Sequence, residues 1–145
     1  MKIAIGSDHA GFRLKNELLE ILSQKGYEIL NCGTFDEISC DYPDYAKIVC
    51  EEVKSKTVDF GILCCGTGCG MSLAANKIKG IRAVLSNEHF TVKMARAHND
   101  ANVCCFGQWT IGAHFAAEIA EIFVNTPFER DRHERRVEKI NALEN

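Results

Sequence analysis

The stretch from Phe60 to Ser72 constrains what this chain can fold into more than any other part of the sequence. It begins with an apolar run that predicts a buried strand. Three glycines then alternate with small residues from Gly66 to Gly70, and Ser72 reads as the start of a helix. A glycine loop between a strand and a helix leaves backbone N–H groups uncovered, with the positive end of the helix dipole behind them. Such a loop suits an anion, and the same field favours the thiolate form of Cys65 at its lip.

Short apolar segments alternate with amphipathic segments along the whole chain. Leu14, Leu18 and Leu22, for example, recur at helical spacing after the first apolar segment. Because several segments are apolar on both faces, we expect a parallel sheet with helices on both sides, in one domain over residues 1–145. Ligands bind such sheets at the carboxyl ends of the strands, where the strand order changes direction. The predicted strands span residues 2–6, 27–32, 58–64, 80–85 and 102–107.

The composition argues against several classes of protein. A formal net charge of −3 gives no reason to expect nucleic-acid or membrane binding, and the first residues turn polar too early for a signal peptide. No apolar run approaches the length of a membrane span. The eight cysteines lie mostly in apolar runs and include no Cys-x-x-Cys pair, so we expect free thiols in a reducing cytoplasm and no zinc site.

The glycine loop matches no common nucleotide-binding pattern. Its third glycine, Gly70, comes one residue too early for Gly-x-Gly-x-x-Gly, and a Walker phosphate loop is absent. A low-molecular-weight phosphatase loop would need an arginine where Met71 stands. Cys64 and Cys65 should point to opposite faces of the strand, so only Cys65 meets the loop amides. Spacing alone leaves open whether Cys65 is a chemical group or another core cysteine.

Further polar residues lie just after the first strand and just before the fifth. Asp8 and His9 follow the first strand, whereas His98 and Asn99 precede the fifth. Each pair has an ordinary interpretation as a turn or a helix end. A histidine in such a place is also able to act as an acid or a base near neutral pH.

Two arginines of the C-terminal segment form a candidate anion site. Arg132 and Arg136 are four residues apart in a charged helix predicted from Arg130 to Leu143, so they project from one face. One interpretation is a solvated helix with internal ion pairs. The other is a phosphate clamp made of two guanidinium groups, on a helix that reaches a second subunit.

Seven short segments occur in an order that covers nearly the whole chain. They are Gly6-Ser7-Asp8-His9-Ala10-Gly11, Asp41-Tyr42-Pro43, Cys65-Gly66-Thr67-Gly68-Cys69-Gly70, Ala74-Ala75-Asn76-Lys77, Gly80-Ile81-Arg82-Ala83, His98-Asn99-Asp100 and Arg132-His133-Glu134-Arg135-Arg136-Val137. As a set they are specific, although each alone is weak. Together they resemble the B-type ribose-5-phosphate isomerases, a family that also includes the galactose-6-phosphate isomerase subunits.

The resemblance implies a Rossmann-like three-layer α/β/α sandwich with a five-stranded parallel sheet. It also implies a homodimer or a tetramer whose active sites contain residues of both subunits, with the C-terminal helix reaching the partner. The implied reaction interconverts ribose 5-phosphate and ribulose 5-phosphate through a cis-enediolate, without a metal ion or an organic cofactor.

The resemblance implies catalytic roles for four residues. Cys65 matches the base that removes a proton from carbon, and His98 matches the group that opens the furanose ring, assisted by Asp8. Thr67 is placed to handle hydroxyl protons. Removing a proton beside a carbonyl group creates an oxyanion, which preorganised N–H donors stabilise.

The other matching residues are implied to bind the substrate. The loop amides match the enediolate cradle, three cationic side chains match phosphate ligands, and further side chains contact the sugar. The cradle is formed by Gly66, Thr67, Gly68, Cys69 and Gly70, the phosphate ligands are Arg132, Arg136 and His9, and the sugar contacts are Asn99, Tyr42 and Asp8.

Two positions depart from parts of this family. One branch has a glutamate base at the position of Met71 and lacks the cysteine that matches Cys65. Methionine is unable to accept a proton, which leaves the Cys65 thiolate as the base. Trp109 stands where several relatives carry arginine, and this removes one phosphate contact.

Other functions stay open at this point. A six-carbon sugar or its 6-phosphate, such as allose or galactose 6-phosphate, is an alternative substrate, because the sequence does not give the depth of the pocket. A non-catalytic module whose loop binds phosphate is another alternative, and a thiol hydrolase using Cys65 and His98 is a weaker one. We also hypothesise that His98 and Asn99 reach Cys65 of the partner subunit.

Overall fold

The computed structural model describes residues 1–144, which contain five β-strands and six α-helices. The strands are β1 (Lys2–Ser7), β2 (Glu28–Asn31), β3 (Phe60–Cys65), β4 (Ala83–Leu85) and β5 (Val103–Gly107). The helices are α1 (Phe12–Gln24), α2 (Tyr42–Lys54), α3 (Cys69–Ala75), α4 (His89–Asn99), α5 (Ala113–Asn125) and α6 (Glu134–Asn141). Within residues 1–144, no helix combines the length and the hydropathy needed to cross a bilayer.

The strands form one parallel sheet in the order β2-β1-β3-β5-β4. Strand β2 pairs with β1 on one side of the sheet. On the other side β3 pairs with β1, and β5 and then β4 follow it. The strand order therefore changes direction between β1 and β3, and their carboxyl ends border the crevice in which such sheets bind ligands. The predicted α/β fold with a five-stranded parallel sheet is confirmed.

Side chains alternate between the two faces of the sheet, and each face has its own core. Helices α1, α4 and α5 cover one face, whereas α2 and α3 cover the other. Cys64 belongs to the first core and Cys65 to the second, as the alternation in β3 predicts. Cys65 is therefore on the same face as α3, the helix that follows the glycine loop.

Helix α3 begins three residues earlier than the sequence predicts. Gly68 adopts a left-handed conformation with φ of 81°, and the Ser72 amide donates to the Gly68 carbonyl at 3.0 Å. Glycine reaches this conformation at little cost, so the chain turns into the helix at once. Cys69 and Gly70, which looked like loop residues, form the first turn of α3.

The C-terminal segment differs from the single helix predicted from Arg130. A 3-10 turn spans Asp131–His133, and α6 starts only after it. His133 and Val137 are buried, whereas Arg132 and Arg136 are exposed. His133 and Val137 are four residues apart and both buried, so the segment keeps helical spacing. Arg132 and Arg136 are also four residues apart and therefore lie on a common face.

Two glycines allow the loops at the carboxyl edge to pack backbone against backbone. A Cβ atom on Gly11 would lie 2.4 Å from the carbonyl carbon of Cys64, and one on Gly107 would lie 2.5 Å from that of Thr67. Neither position has room for a side chain. The loops that follow β1 and β5 are therefore held against the residues at the end of β3.

Substitution of Gly107 by alanine tests this packing. We expect Gly107→Ala to lower the free energy of unfolding by about 1–3 kcal/mol or more, because its methyl group would overlap the Thr67 backbone. The matched control is Gly112→Ala, where a Cβ meets nothing within 4 Å and φ is −81°. That change should cost at most about 1 kcal/mol, the range for the N-cap position that Gly112 occupies.

Denaturant unfolding at a fixed protein concentration measures both variants. Equal midpoints for Gly107→Ala and Gly112→Ala would contradict the close approach of the two loops.

Candidate active site

Asp8 and Cys65 lie at the same carboxyl edge of the sheet, because Asp8 directly follows β1 and Cys65 ends the neighbouring strand β3. The Asp8 amide donates to the Cys64 carbonyl at 3.3 Å, and Asp8 Oδ1 accepts a hydrogen bond from the Gly11 amide at 3.0 Å. Both Asp8 and Cys65 are buried, with exposures of 6% and 5%. A carboxylate and a thiol thus meet at the crevice that the strand order creates.

The glycine loop places an N–H donor directly on the Cys65 sulfur. The Gly68 amide donates to Cys65 Sγ at 3.1 Å, and the Cys69 amide donates to Thr67 Oγ1 at 3.3 Å. Within residues 1–144, the amides of Gly70 and Met71 have no acceptor. The loop therefore combines one donor that is bonded to the Cys65 sulfur with further donors that are free to bind an oxyanion.

Two aromatic rings flank this loop. A Cβ atom on Gly66 would lie 2.6 Å from the Trp109 ring, and one on Gly70 would lie 2.9 Å from the Tyr42 ring. The Trp109 amide also donates to the Gly66 carbonyl at 3.0 Å, while its side chain is 72% exposed. The Tyr42 ring thus lies beside the glycine loop, and Trp109 contributes a ring where relatives were expected to supply a cation.

His9 is held by the segment that precedes α2. The Cys40 amide donates to His9 Nδ1 at 3.2 Å, so in the neutral ring the proton belongs to Nε2. The His9 side chain therefore presents an N–H donor from its other nitrogen. No sequence pattern predicts this contact, because Cys40 lies 31 residues away in an irregular segment.

The remaining predicted site residues are at the opposite edge of the sheet. His98 and Asn99 are at the end of α4, just before the start of β5. Strand β5 pairs with β3 from Gly61–Val103 at the amino edge to Cys65–Gly107 at the carboxyl edge. This stretch spans about 13 Å at about 3.3 Å per residue. One chain therefore does not bring His98 and Asn99 to Cys65.

The arginines lie at this amino edge together with His98. The Glu129 amide donates to the Ala97 carbonyl at 2.9 Å, and the His133 ring stacks on the His98 ring with centroids 4.0 Å apart. His133 lies next to Arg132 in the sequence and three residues before Arg136. The predicted residues thus form two groups, one at each edge of the sheet.

Burial of His133 sets its charge state. Burial lowers the pKa of His133 from its ordinary value, and the nearby His98, Arg132 and Arg136 lower it further, while Glu129 opposes the change. The His133 ring is therefore neutral at pH 7. No role was predicted for His133 from the sequence. The one available signal was its position beside two arginines.

An ion-pair network, also missed in the sequence, holds the end of α4. Asp100 adopts a left-handed conformation with φ of 48°, and its carboxylate accepts from Arg96 at 2.7 Å and from Arg82 at 2.9 Å. Arg96 also donates to the Ala101 carbonyl at 2.7 Å. This network fixes the turn between α4 and β5 and, with it, the position of His98 and Asn99.

Most of the other thiols are chemically inert. All eight cysteines have free thiols, as predicted. Burial raises the pKa of Cys32 to about 11 and that of Cys50 to about 12, and it raises the pKa values of Cys64, Cys104 and Cys105 still further. These five thiols stay protonated at neutral pH, which leaves few candidates for a reactive sulfur.

Met71 does not line the site. Its side chain is fully buried in the core beneath α3. The thioether therefore neither replaces a base at this position nor contacts a ligand at the loop.

The fold and the carboxyl-edge group define an α/β protein with a thiol and a loop of free backbone amides at the switch point of its sheet. Residues 3–140 match the model of the Ribose/Galactose Isomerase family. The chain belongs to this family of sugar-phosphate isomerases, as its motifs predicted, and it is thereby an aldose–ketose isomerase.

Individual relatives are similar over their full length. The chain is 45% identical over 143 residues to ribose-5-phosphate isomerase B of Escherichia coli, covering 99% of this chain and 96% of that protein. The solved structure of ribose-5-phosphate isomerase B from Clostridium thermocellum has a TM-score of 0.96 and 44% identity, with 99% and 97% of the two chains covered. The enzyme from Thermotoga maritima has a TM-score of 0.95 and 50% identity, with 97% of each chain covered.

Proposed function

We propose that the protein interconverts ribose 5-phosphate and ribulose 5-phosphate, with Cys65 as the base. The observation that carries this proposal is the 3.1 Å contact between the Gly68 amide and Cys65 Sγ. This contact lies at the switch point of the sheet, in a chain that belongs to the Ribose/Galactose Isomerase family. The names of the similar proteins from E. coli and T. maritima support the choice of substrate.

The chemistry at the carboxyl edge follows from its donors. The Cys65 thiolate removes the proton from the carbon beside the carbonyl group, and the resulting cis-enediolate carries negative charge on oxygen. The loop amides that have no acceptor of their own, among them that of Gly70, stabilise this charge, and one such donor is commonly worth about 3–4 kcal/mol. Thr67 Oγ1 accepts from the Cys69 amide, so its own proton is free for exchange with a sugar hydroxyl.

The amino-edge group handles the ring and the phosphate together with three residues of the carboxyl edge. His98 opens the furanose ring, assisted by Asp8, and Asn99 and Tyr42 contact the sugar. Arg132 and Arg136, with His9, bind the phosphate. Holding the phosphate keeps the open chain in position while Cys65 acts on the carbon at its other end. The reaction requires neither a metal ion nor an organic cofactor, because the hydrogen moves as a proton.

A second subunit joins the two groups into one site. The groups of a single chain lie about 13 Å apart or more along β3 and β5, so we propose a homodimer in which His98 and Asn99 reach Cys65 of the partner subunit. Large apolar side chains support such an interface. Leu73, Phe90 and Leu143 are 68%, 70% and 79% exposed, and a contact with a second subunit would remove such side chains from water. The C-terminal segment, with Arg132 in the 3-10 turn and Arg136 in α6, carries these phosphate ligands towards the partner.

Removal of the base tests the assignment of Cys65. We expect Cys65→Ala to lower the turnover of ribose 5-phosphate by about 10²–10⁴-fold, the usual contribution of a general base. The matched control is Cys50→Ala, which removes another buried sulfur on the same face of the sheet and should retain turnover. Steady-state rates and the exchange of substrate protons with solvent deuterium measure both variants. Near-normal turnover by Cys65→Ala would remove Cys65 from the mechanism.

Mixed dimers test the sharing of the site. Cys65→Ala and His98→Ala homodimers are each inactive under this proposal, but a mixed dimer has one site with both residues intact. Random exchange of subunits should therefore restore about a quarter of the wild-type activity. Native mass spectrometry verifies that exchange has occurred. If activity stays absent after exchange, each site is built from a single chain.

A panel of substrates tests the proposed specificity. The family description names both ribose and galactose, so a six-carbon sugar 6-phosphate is the second candidate. We expect kcat/KM to be highest for ribose 5-phosphate among five- and six-carbon aldose phosphates, including allose and galactose 6-phosphates. A strong preference for six carbons would contradict the ribose assignment.

Two other outcomes would indicate a different class of protein. Binding of a sugar phosphate without proton exchange would indicate a non-catalytic module, and a trapped acyl-enzyme would indicate a hydrolase.

A further inference from the structure

A cluster of three metal-ligating side chains lies at the amino edge of the sheet. One ligand atom from each of His98, Glu129 and His133 lies within 4.8 Å of the other two. Glu129 Oε2 is 3.6 Å from His98 Nε2 and 3.8 Å from His133 Nε2. The carboxylate therefore faces both imidazole rings, while its own side chain is about half exposed to solvent.

His133 brings an unsatisfied nitrogen to this cluster. The side chain is 5% exposed, and within residues 1–144 its Nε2 atom is buried and has no hydrogen-bond partner. A buried polar atom without a partner costs free energy, so it usually indicates a missing ligand or a functional constraint. Glu129 Oε2 lies 3.8 Å from this atom, a distance too long for a hydrogen bond.

We propose that His98, Glu129 and His133 bind a zinc-type divalent cation, and that this cation inhibits the enzyme. Two imidazoles and one carboxylate are a ligand set that suits zinc, with a fourth position left for water. The set suits zinc better than magnesium, because magnesium prefers six oxygen ligands and loses its water shell reluctantly.

Binding of this ion requires the two rings to turn out of their stack. Ligand atoms about 2.0–2.1 Å from a tetrahedral zinc ion lie about 3.3–3.4 Å from one another. The rings of His98 and His133 are nearly parallel, 10° apart, and a lone pair lies in the plane of its ring, so both rings must rotate substantially before their lone pairs converge on one point. Glu129 is an exposed side chain whose backbone is held independently through Ala97, and it is therefore able to follow.

Charge in the surroundings limits the affinity. Arg132 and Arg136 are close enough to lower the pKa of His133, and the same positive charge opposes a second cation. We therefore expect a reversible site that is weaker than a structural zinc centre.

The inhibition rests on the proposed function, whereas the binding does not. A cation on His98 occupies a ring nitrogen that the proposed reaction uses to open the sugar. Zinc and substrate therefore exclude one another, and zinc should raise the apparent KM for ribose 5-phosphate more than it lowers kcat. Magnesium at the same concentration should have no effect.

Binding of cobalt to the wild-type protein and two variants tests the site without any substrate. Glu129→Gln removes one ligand and keeps the side-chain shape, and we expect it to weaken Co²⁺ binding at least about tenfold in equilibrium dialysis. The matched control is Glu134→Gln, an exposed glutamate in the same segment that pairs with Arg130 instead of the histidines. This control should bind Co²⁺ as the wild type does.

Visible and near-ultraviolet spectra distinguish this site from the cysteines. Cobalt on two histidines and a glutamate should show d–d bands without a thiolate-to-metal charge-transfer band. A thiolate band, or equal affinity in Glu129→Gln and the wild type, would overturn the proposal.

The activity assay adds an independent result. We expect Zn²⁺ to inhibit the wild type and Glu134→Gln equally, and Glu129→Gln to be at least about tenfold less sensitive. Equal inhibition of all three proteins would place the inhibiting ion elsewhere and overturn the proposal. If no sugar phosphate is isomerised at all, the proposed function fails, and cobalt binding still decides whether the metal site exists.

Discussion

The hydrogen bond from the Gly68 amide to the Cys65 sulfur is the contact on which the carboxyl edge of this protein depends. It forms because Gly68 turns the chain left-handed immediately after β3, and because the backbone of Thr67 is pressed against Gly107 at the end of β5. Each of these features requires glycine, one for its conformation and one for its lack of a side chain. The sulfur, the loop amides and α3 are thus positioned as one unit.

The second constraint is the direction of a parallel sheet. A helix that follows a strand returns the chain to the amino edge, so residues at the end of α4 and residues at the end of β3 are separated by the length of the strands. Polar groups of one chain therefore collect at two edges, with Asp8 and Cys65 at one and His98 at the other. The unsatisfied nitrogen of His133 lies beside His98, in the amino-edge group.

Local patterns in the sequence were enough to predict much of this arrangement. Alternation along β3 correctly separated Cys64 from Cys65, and the spacing of Leu14, Leu18 and Leu22 correctly predicted the buried face of α1. Contacts between distant segments could not be predicted in this way. The bond from the Cys40 amide to His9 and the pairing of Arg82 with Asp100 join segments 31 and 18 residues apart. Such contacts depend on how the helices pack, which periodicity does not encode.

By itself the sequence determined the order of strands and helices, the glycine loop beside Cys65 and the family to which the chain belongs. These follow from periodicity, from the conformational freedom of glycine and from short motifs, all of which act over a few residues. Only the tertiary structure decided that the site residues divide between two edges, and that His98, Glu129 and His133 meet. Those outcomes depend on the direction of the sheet and on the docking of the C-terminal segment against α4, which are set by packing across the whole molecule.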